Sequence, residues 1–119
     1  MKSINVKELM IGNWVKDYDT SNTFFQVIKI EHGDNEFTEG LWFINGRMSD
    51  DVLPVNLTSG ILLDNGFSYV PEHSTYGNKK IGVALIGNKW YCDNVSGKYL
   101  HQFQNYYFLK TGKELNIVL

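Results

Sequence analysis

Two runs rich in β-branched and aromatic residues, Lys80 to Ile86 and Lys89 to Val95, are separated by Gly87-Asn88 alone. Two residues can join antiparallel strands but never parallel ones, which need a crossover of a dozen or more, so this segment predicts a tight β-hairpin. The same pattern occurs upstream. Asn13 to Tyr18 and Thr23 to Glu31 flank Asp19-Thr20-Ser21-Asn22, which has hairpin-loop chemistry, and together they predict a first hairpin. Trp14, Val15, Phe25, Val27 and Ile30 would form its apolar face. Ile28 breaks the alternation, which predicts either a bulge or a strand buried on both sides. His32-Gly33-Asp34-Asn35 marks another turn, and Phe37 to Asn45 reads as a third strand closed by Asn45-Gly46. Arg47 to Val52 reads as a polar loop leading to Pro54.

The centre and the carboxy-terminal part change character. Thr58 is placed to cap a helix over residues 58–65, with Ile61, Leu62 and Leu63 as its apolar stripe and Gly66 as a left-handed stop. Gly60 weakens that helix by ~1 kcal/mol relative to Ala, so packing must hold it. Pro71 to Asn78 reads as a loop. In Tyr99 to Lys110, Leu100, Phe103, Tyr107 and Lys110 recur at helical spacing before a Thr111-Gly112 stop. Asn116 to Leu119 would add an edge strand or pack as a tail. The resulting expectation is one α+β domain over residues 1–119. It would be an antiparallel sheet or SH3-like partial barrel of five to six strands, with a short central helix and a longer C-terminal helix.

A chain of 119 residues with 43% hydrophobic and 20% charged content can bury a core without staples. Cys92 is the only cysteine, which excludes an internal disulfide and a thiolate zinc cage and suits a reducing compartment. Met1 to Met10 has no signal-peptide core, and no stretch approaches the ~20 apolar residues of a membrane span, so a cytoplasmic location is expected. Catalytic chemistry is not indicated. His32, His73 and His101 are scattered singly rather than in ligand pairs, so no metal or other cofactor is expected. A Cys92 nucleophile would need a base such as His101, yet its neighbours Trp90-Tyr91 place it in a strand, where an inert buried thiol is the usual outcome. Asp50-Asp51 reads as a solvated pair, and the glycines are spaced as turns rather than as a phosphate cradle.

The net charge of −2 conceals an asymmetry: residues up to Glu72 carry 5 basic and 11 acidic side chains, and the remainder 6 basic and 2 acidic. Two binding functions follow from it. In the first half, Asp17, Asp19, Glu31, Asp34, Glu36 and Glu39 fall in or beside turns, an acidic edge suited to a basic partner surface. In the second half, Lys79, Lys80, Lys89, Lys98, Lys110 and Lys113 alternate with Trp90, Tyr91, Tyr99, Tyr106 and Tyr107. That mixture suits single-stranded RNA, and Lys79, Lys80, Lys89, Trp90, Lys98, Tyr99 and Lys110 are its candidate contacts.

Three segments carry a family resemblance, and together they cover about a third of the chain. They are Glu8 to Val15, with its Ile11-Gly12-Asn13 core; Leu53 to Thr58, with Leu62 and Gly66-Phe67; and Tyr99 to Phe108, followed by Thr111 to Leu115. Together they resemble a family of small proteins of Bacteroidetes bacteria and their phages to which no reaction is assigned. This chain has Phe103 and Tyr106 where the family carries Leu. The resemblance implies an α+β architecture and a phage or mobile-element setting. In that setting the leading expectation is a non-catalytic interaction protein that binds a host protein or ribonucleoprotein, for example an inhibitor of a defence nuclease of the anti-CRISPR type. A single-stranded RNA-binding module is the alternative, and neither function implies a membrane.

Overall fold

The chain divides into two compact units, Met1–Val55 and Asn56–Leu119. The computed structural model describes residues 9–17, 24–31, 40–43, 48–49 and 52–119. The loops expected at Asp19 to Asn22, His32 to Asn35 and Asn45-Gly46, and the Asp50-Asp51 pair, lie outside them. Among the described residues each unit holds one five-stranded antiparallel sheet, and the second unit adds two helices. The α+β class, the antiparallel pairing and the short and long helices are as expected, while the five to six strands anticipated are ten, shared between two sheets.

In the first unit the chain is turned into its sheet by Ile11-Gly12-Asn13. Gly12 sits at φ 98, a region other residues rarely adopt. Asn13, 2% exposed, accepts the Met10 amide on its side-chain oxygen at 2.8 Å. Strands β1 (Trp14–Asp17), β2 (Phe24–Glu31), β3 (Gly40–Phe43), β4 (Met48–Ser49) and β5 (Val52–Pro54) follow in the order β4-β3-β2-β1-β5. Of the two readings of Ile28, the bulge is realised: the β2–β3 register steps from Val27↔Phe43 to Lys29↔Trp42. Val52 to Pro54, expected as a loop end and its exit, instead pairs with β1. Pro54 is tolerated because β5 is an edge strand, where a missing N–H breaks no ladder. Leu9, Val15, Val27 and Val52 form the buried cluster of this unit, with Phe25 packed against it.

The second unit starts with α1 (Ser59–Asp64), whose cap is Thr58: its hydroxyl accepts the Ile61 amide at 3.2 Å. Gly66 at φ 89 then reverses the chain. Strands β6 (Ser68–Val70), β7 (Thr75–Gly77), β8 (Gly82–Ile86), β9 (Lys89–Cys92) and β10 (Val95–Gly97) form a continuous meander, β10-β9-β8-β7-β6. The predicted Gly87-Asn88 hairpin is present, with Gly87 at φ 62. Three further hairpins, β6–β7, β7–β8 and β9–β10, were not expected. The Pro71 to Asn78 segment holds β7, and the Lys89 to Val95 run breaks at Asp93-Asn94, so that Val95 pairs back on Cys92.

Helix α2 (Leu100–Thr111) closes the unit and ends at Gly112, φ 73. Gln102 reaches back to accept the amides of Lys98 and Tyr99 at 3.0 and 3.1 Å. Leu100, Phe103 and Tyr107 are buried, as their spacing predicts, and His101 and Gln104 are buried with them. Phe103 meets Trp90 edge-on, ring centroids 5.3 Å apart. The Asn116 to Leu119 segment packs as a tail, with Ile117 buried and Val118 held by Asn65 through two hydrogen bonds of 2.8 and 3.2 Å.

Trp90 packs against Gly97, where an added Cβ would approach its ring atoms to 2.7–2.8 Å. Gly97→Ala must displace either the strand or the indole. It is expected to lower stability by about 1–3 kcal/mol, read as a reduced urea midpoint with an unchanged slope.

Candidate functional site

Paired strand residues share a face of a sheet, and alternate residues change face. Val83, Leu85, Trp90 and Cys92 therefore lie together on the face that Phe103 of α2 covers. Gly82, Ala84, Ile86, Lys89, Tyr91 and Ser96 lie on the other. That second face is open: Ile86 is 65% and Tyr91 40% exposed. Tyr91 pairs with Ala84 on one side and Ser96 on the other, so small residues flank its ring on both neighbouring strands. Lys89 is two residues away on the same face. Extending the Gly97↔Trp90 register by one residue sets Lys98 opposite Lys89. The Lys98 ammonium lies 5.8 Å from the ring centroid of Tyr99.

At the Gly87-Asn88 end of this sheet is a pocket of about 350 Å³. Asn56 from the approach to α1, Ser59 at its first position, Tyr76 and Leu85 from the sheet, and Asn88 and Lys89 from the hairpin line it. Lys89 thus borders both the open face and the pocket.

The basic aromatic residues expected to act together are separated by the fold. Lys89, Tyr91 and Lys98 gather at one end of the sheet. Lys79 and Lys80 occupy the opposite end, in a turn that Asn78 holds by accepting the amides of Lys80 and Ile81 at 2.8 and 2.9 Å. Trp90 is removed from the set: at 2% exposure, with its indole N–H donating to the Tyr99 carbonyl at 3.3 Å, it is a core residue that no base can reach. Lys110 is already engaged, its ammonium 3.0 Å from Asp93. Tyr99 is half-buried and stacks on His101. Strand parity was the available signal, since Trp90 shares it with Cys92, which was expected to be buried, and Tyr91 does not. Among the proposed acidic contacts, Asp19, Asp34, Glu36 and Glu39 lie outside the described residues, and Asp17 is described only as the last residue of β1.

Asp93 organises a second cluster. It sits at φ 55, in the left-handed region, and its carboxylate accepts the Tyr106 hydroxyl at 2.7 Å beside Lys110. These two partners hold the Asp93 carboxyl below its ordinary value, the Tyr106 hydrogen bond contributing most. The same bond pushes the Tyr106 phenol up to about 12. Burial, followed by the Asp93 charge, pushes the Cys92 thiol up as well. A buried thiol poised against ionisation has the opposite character to a nucleophile, and its polar contact is Asp93, at 3.9 Å. Among the described residues no three His, Cys, Asp or Glu side chains converge as metal ligands, and no helix is long and apolar enough to cross a membrane.

Comparison with protein families, with curated proteins and with solved structures finds no match to the chain.

The coupling of Tyr106 and Asp93 is measurable. A phenol raised in the folded state contributes stability that is complete below pH ~10 and is lost as pH climbs through its folded value. The depressed Asp93 contributes stability that is lost only on strong acidification. In an ultraviolet titration of the phenolates, the Tyr106 step should therefore come late, near 12, and Asp93→Asn should bring it back toward the ordinary phenol range; an unchanged profile would show that the bond is not formed in solution.

Proposed function

We propose that this protein is a binding module, and that its second unit holds single-stranded nucleic acid across the open face of its sheet. Tyr91 supports the stack of one base, while Lys89 and Lys98 engage the phosphates on either side. The observation that carries this reading is the setting of Tyr91: an exposed ring flanked across the strands by Ala84 and Ser96, with a lysine two residues along the same face.

The chemistry of the ligand follows from the surface. A flat aromatic ring with small neighbours admits the π-face of any base, and such stacking is worth ~1–3 kcal/mol per base. The residues from Asn56 onward carry six lysines against Asp64, Glu72, Asp93 and Glu114, a modest positive excess. Two phosphate contacts would give a shallow salt dependence, a log–log slope of about −1.4 for single strands. Duplex DNA is a poorer partner, because its bases are stacked and leave Tyr91 nothing to cover.

The other function read from the sequence, docking on a basic host protein or ribonucleoprotein, rests on the charge of Asp17, Asp19, Asp34, Glu36 and Glu39. The two readings use different residues and are separable by experiment. In a fluorescence anisotropy titration at low salt, a short single-stranded RNA should bind, Tyr91→Ala should weaken it about tenfold, and Lys89→Glu should both weaken it and flatten the salt slope. Lys79→Glu with Lys80→Glu, at the far end of the sheet, should have the smaller effect. Absence of binding at low salt would overturn the nucleic-acid reading in favour of the acidic surface.

A further inference from the structure

The pocket at the Gly87-Asn88 turn belongs to the other side of the sheet from Tyr91. Tyr76 pairs with Val83 and Leu85 with Trp90, so both lie on the face that Phe103 covers. With buried Leu57 they form the apolar part of the lining. The polar part, Asn56, Thr58, Ser59, Asn88 and Lys89, is exposed. An apolar floor thus sits inside a polar rim. The volume of about 350 Å³ is at the small end of the roughly 300–1,000 Å³ range of small-ligand sites, room for one compact ligand.

The rim is uncommitted. Elsewhere in this unit the carboxamides hold the protein's own backbone: Asn65 bonds to Ile61 and Val118, Asn78 to Lys80 and Ile81, and Gln102 to Lys98 and Tyr99. Among the described residues, the side chains of Asn56, Ser59 and Asn88 have no such partner, and no carboxylate pairs with Lys89. The Thr58 hydroxyl accepts the Ile61 amide and keeps its own proton to donate.

These groups define a ligand. A carboxamide or hydroxyl can both donate and accept, which is also what the hydroxyls of a sugar do, so the two sets satisfy each other in either direction. Among the described residues that line the pocket, Lys89 is the one cation and none is a carboxylate. One anionic group is therefore matched, whereas a hard metal ion, which needs carboxylate oxygens, is not. A polyphosphate would exceed the single charge available. A wholly apolar ligand would leave the rim desolvated and unpaired. The Tyr76 ring, with Leu57 and Leu85, offers the C–H face of a saturated ring an apolar surface.

We infer that the pocket binds a monosaccharide bearing one acidic group, a carboxylate or a phosphate. The site is separate from the one proposed for nucleic acid, because it lies on the opposite face from Tyr91. Lys89, at the end of the hairpin, is the residue the two have in common.

Amide spectra of the full chain, titrated with glucuronic acid, galacturonic acid and glucose 6-phosphate, read the site directly. At least one of these should shift the Asn56 and Asn88 carboxamide signals and saturate; which of them does so distinguishes carboxylate from phosphate. Glucose should bind about tenfold more weakly than that acidic sugar, and inorganic phosphate should leave both carboxamides unmoved. Lys89→Gln should reduce the affinity to that of glucose, and Asn88→Ala should reduce it about tenfold. Asn88 has no positive φ, so alanine fits its backbone; Asn56→Ala gives an independent second variant. Lys113→Gln, which removes a charge elsewhere, should change nothing. Failure of all three acidic sugars to saturate, equal shifts with inorganic phosphate, or an affinity indifferent to both asparagine variants would overturn the assignment. None of these outcomes bears on RNA at Tyr91.

Discussion

The second unit depends on the seat of Trp90. Its indole fills the space between sheet and helix and meets Phe103 edge-on. Its N–H is satisfied by the Tyr99 carbonyl at the start of α2. It can lie that close to the neighbouring strand only because residue 97 has no side chain. Much else follows from this placement. Phe103 continues the aromatic contact to Phe67 and Tyr107, so burial of one large ring on the sheet fixes the helix that covers it. Strand alternation then sends Lys89 and Tyr91 to the opposite face. An open face carrying an exposed tyrosine and lysine on one side of the sheet is the geometric counterpart of the core on the other.

Local backbone chemistry was the most legible part of the sequence. Thr58 caps α1, Gly66 and Gly112 end their helices in left-handed geometry, and Gly87-Asn88 joins β8 to β9, each through an interaction within a few residues. The interruption at Ile28 likewise appears as a bulge, because a break in period two leaves a ladder few other options. The strands that escaped detection are those whose signal is not local. Ser68–Val70 and Thr75–Gly77 are too short to show alternation, and they are strands only because each has a neighbour to pair with. The Asp93-Asn94 turn is hidden within an otherwise uniform β-rich run, where the alternative of continuing the strand looks equally good.

The candidate site was legible in composition but not in membership. A mixture of lysines and aromatic residues states what a surface could bind, yet burial decides which of them belong to a surface at all. Trp90 went to the core, Lys110 to a carboxylate, and Lys79 and Lys80 to the far end of the sheet, which leaves Lys89, Tyr91 and Lys98 as a smaller and more coherent group. The pocket had no sequence signature, because its lining comes from three separate stretches that converge only through the β6–β9 meander and the approach to α1.

The left-handed backbone at Asp93 sets two demands against each other. Glycine would relax that φ of 55, but only a carboxylate holds Tyr106 and Lys110. The balance depends on whether the carboxyl is charged. Near neutrality the two tethers favour keeping the acid; in strongly acidic surroundings, where it is protonated, the conformational argument for glycine grows. A lineage of such chains moving into acid would thus come under pressure to give up this residue first, and α2 would then rely at this end of the sheet on its aromatic packing and on the Asn78 amide that donates to the Tyr107 hydroxyl at 3.1 Å.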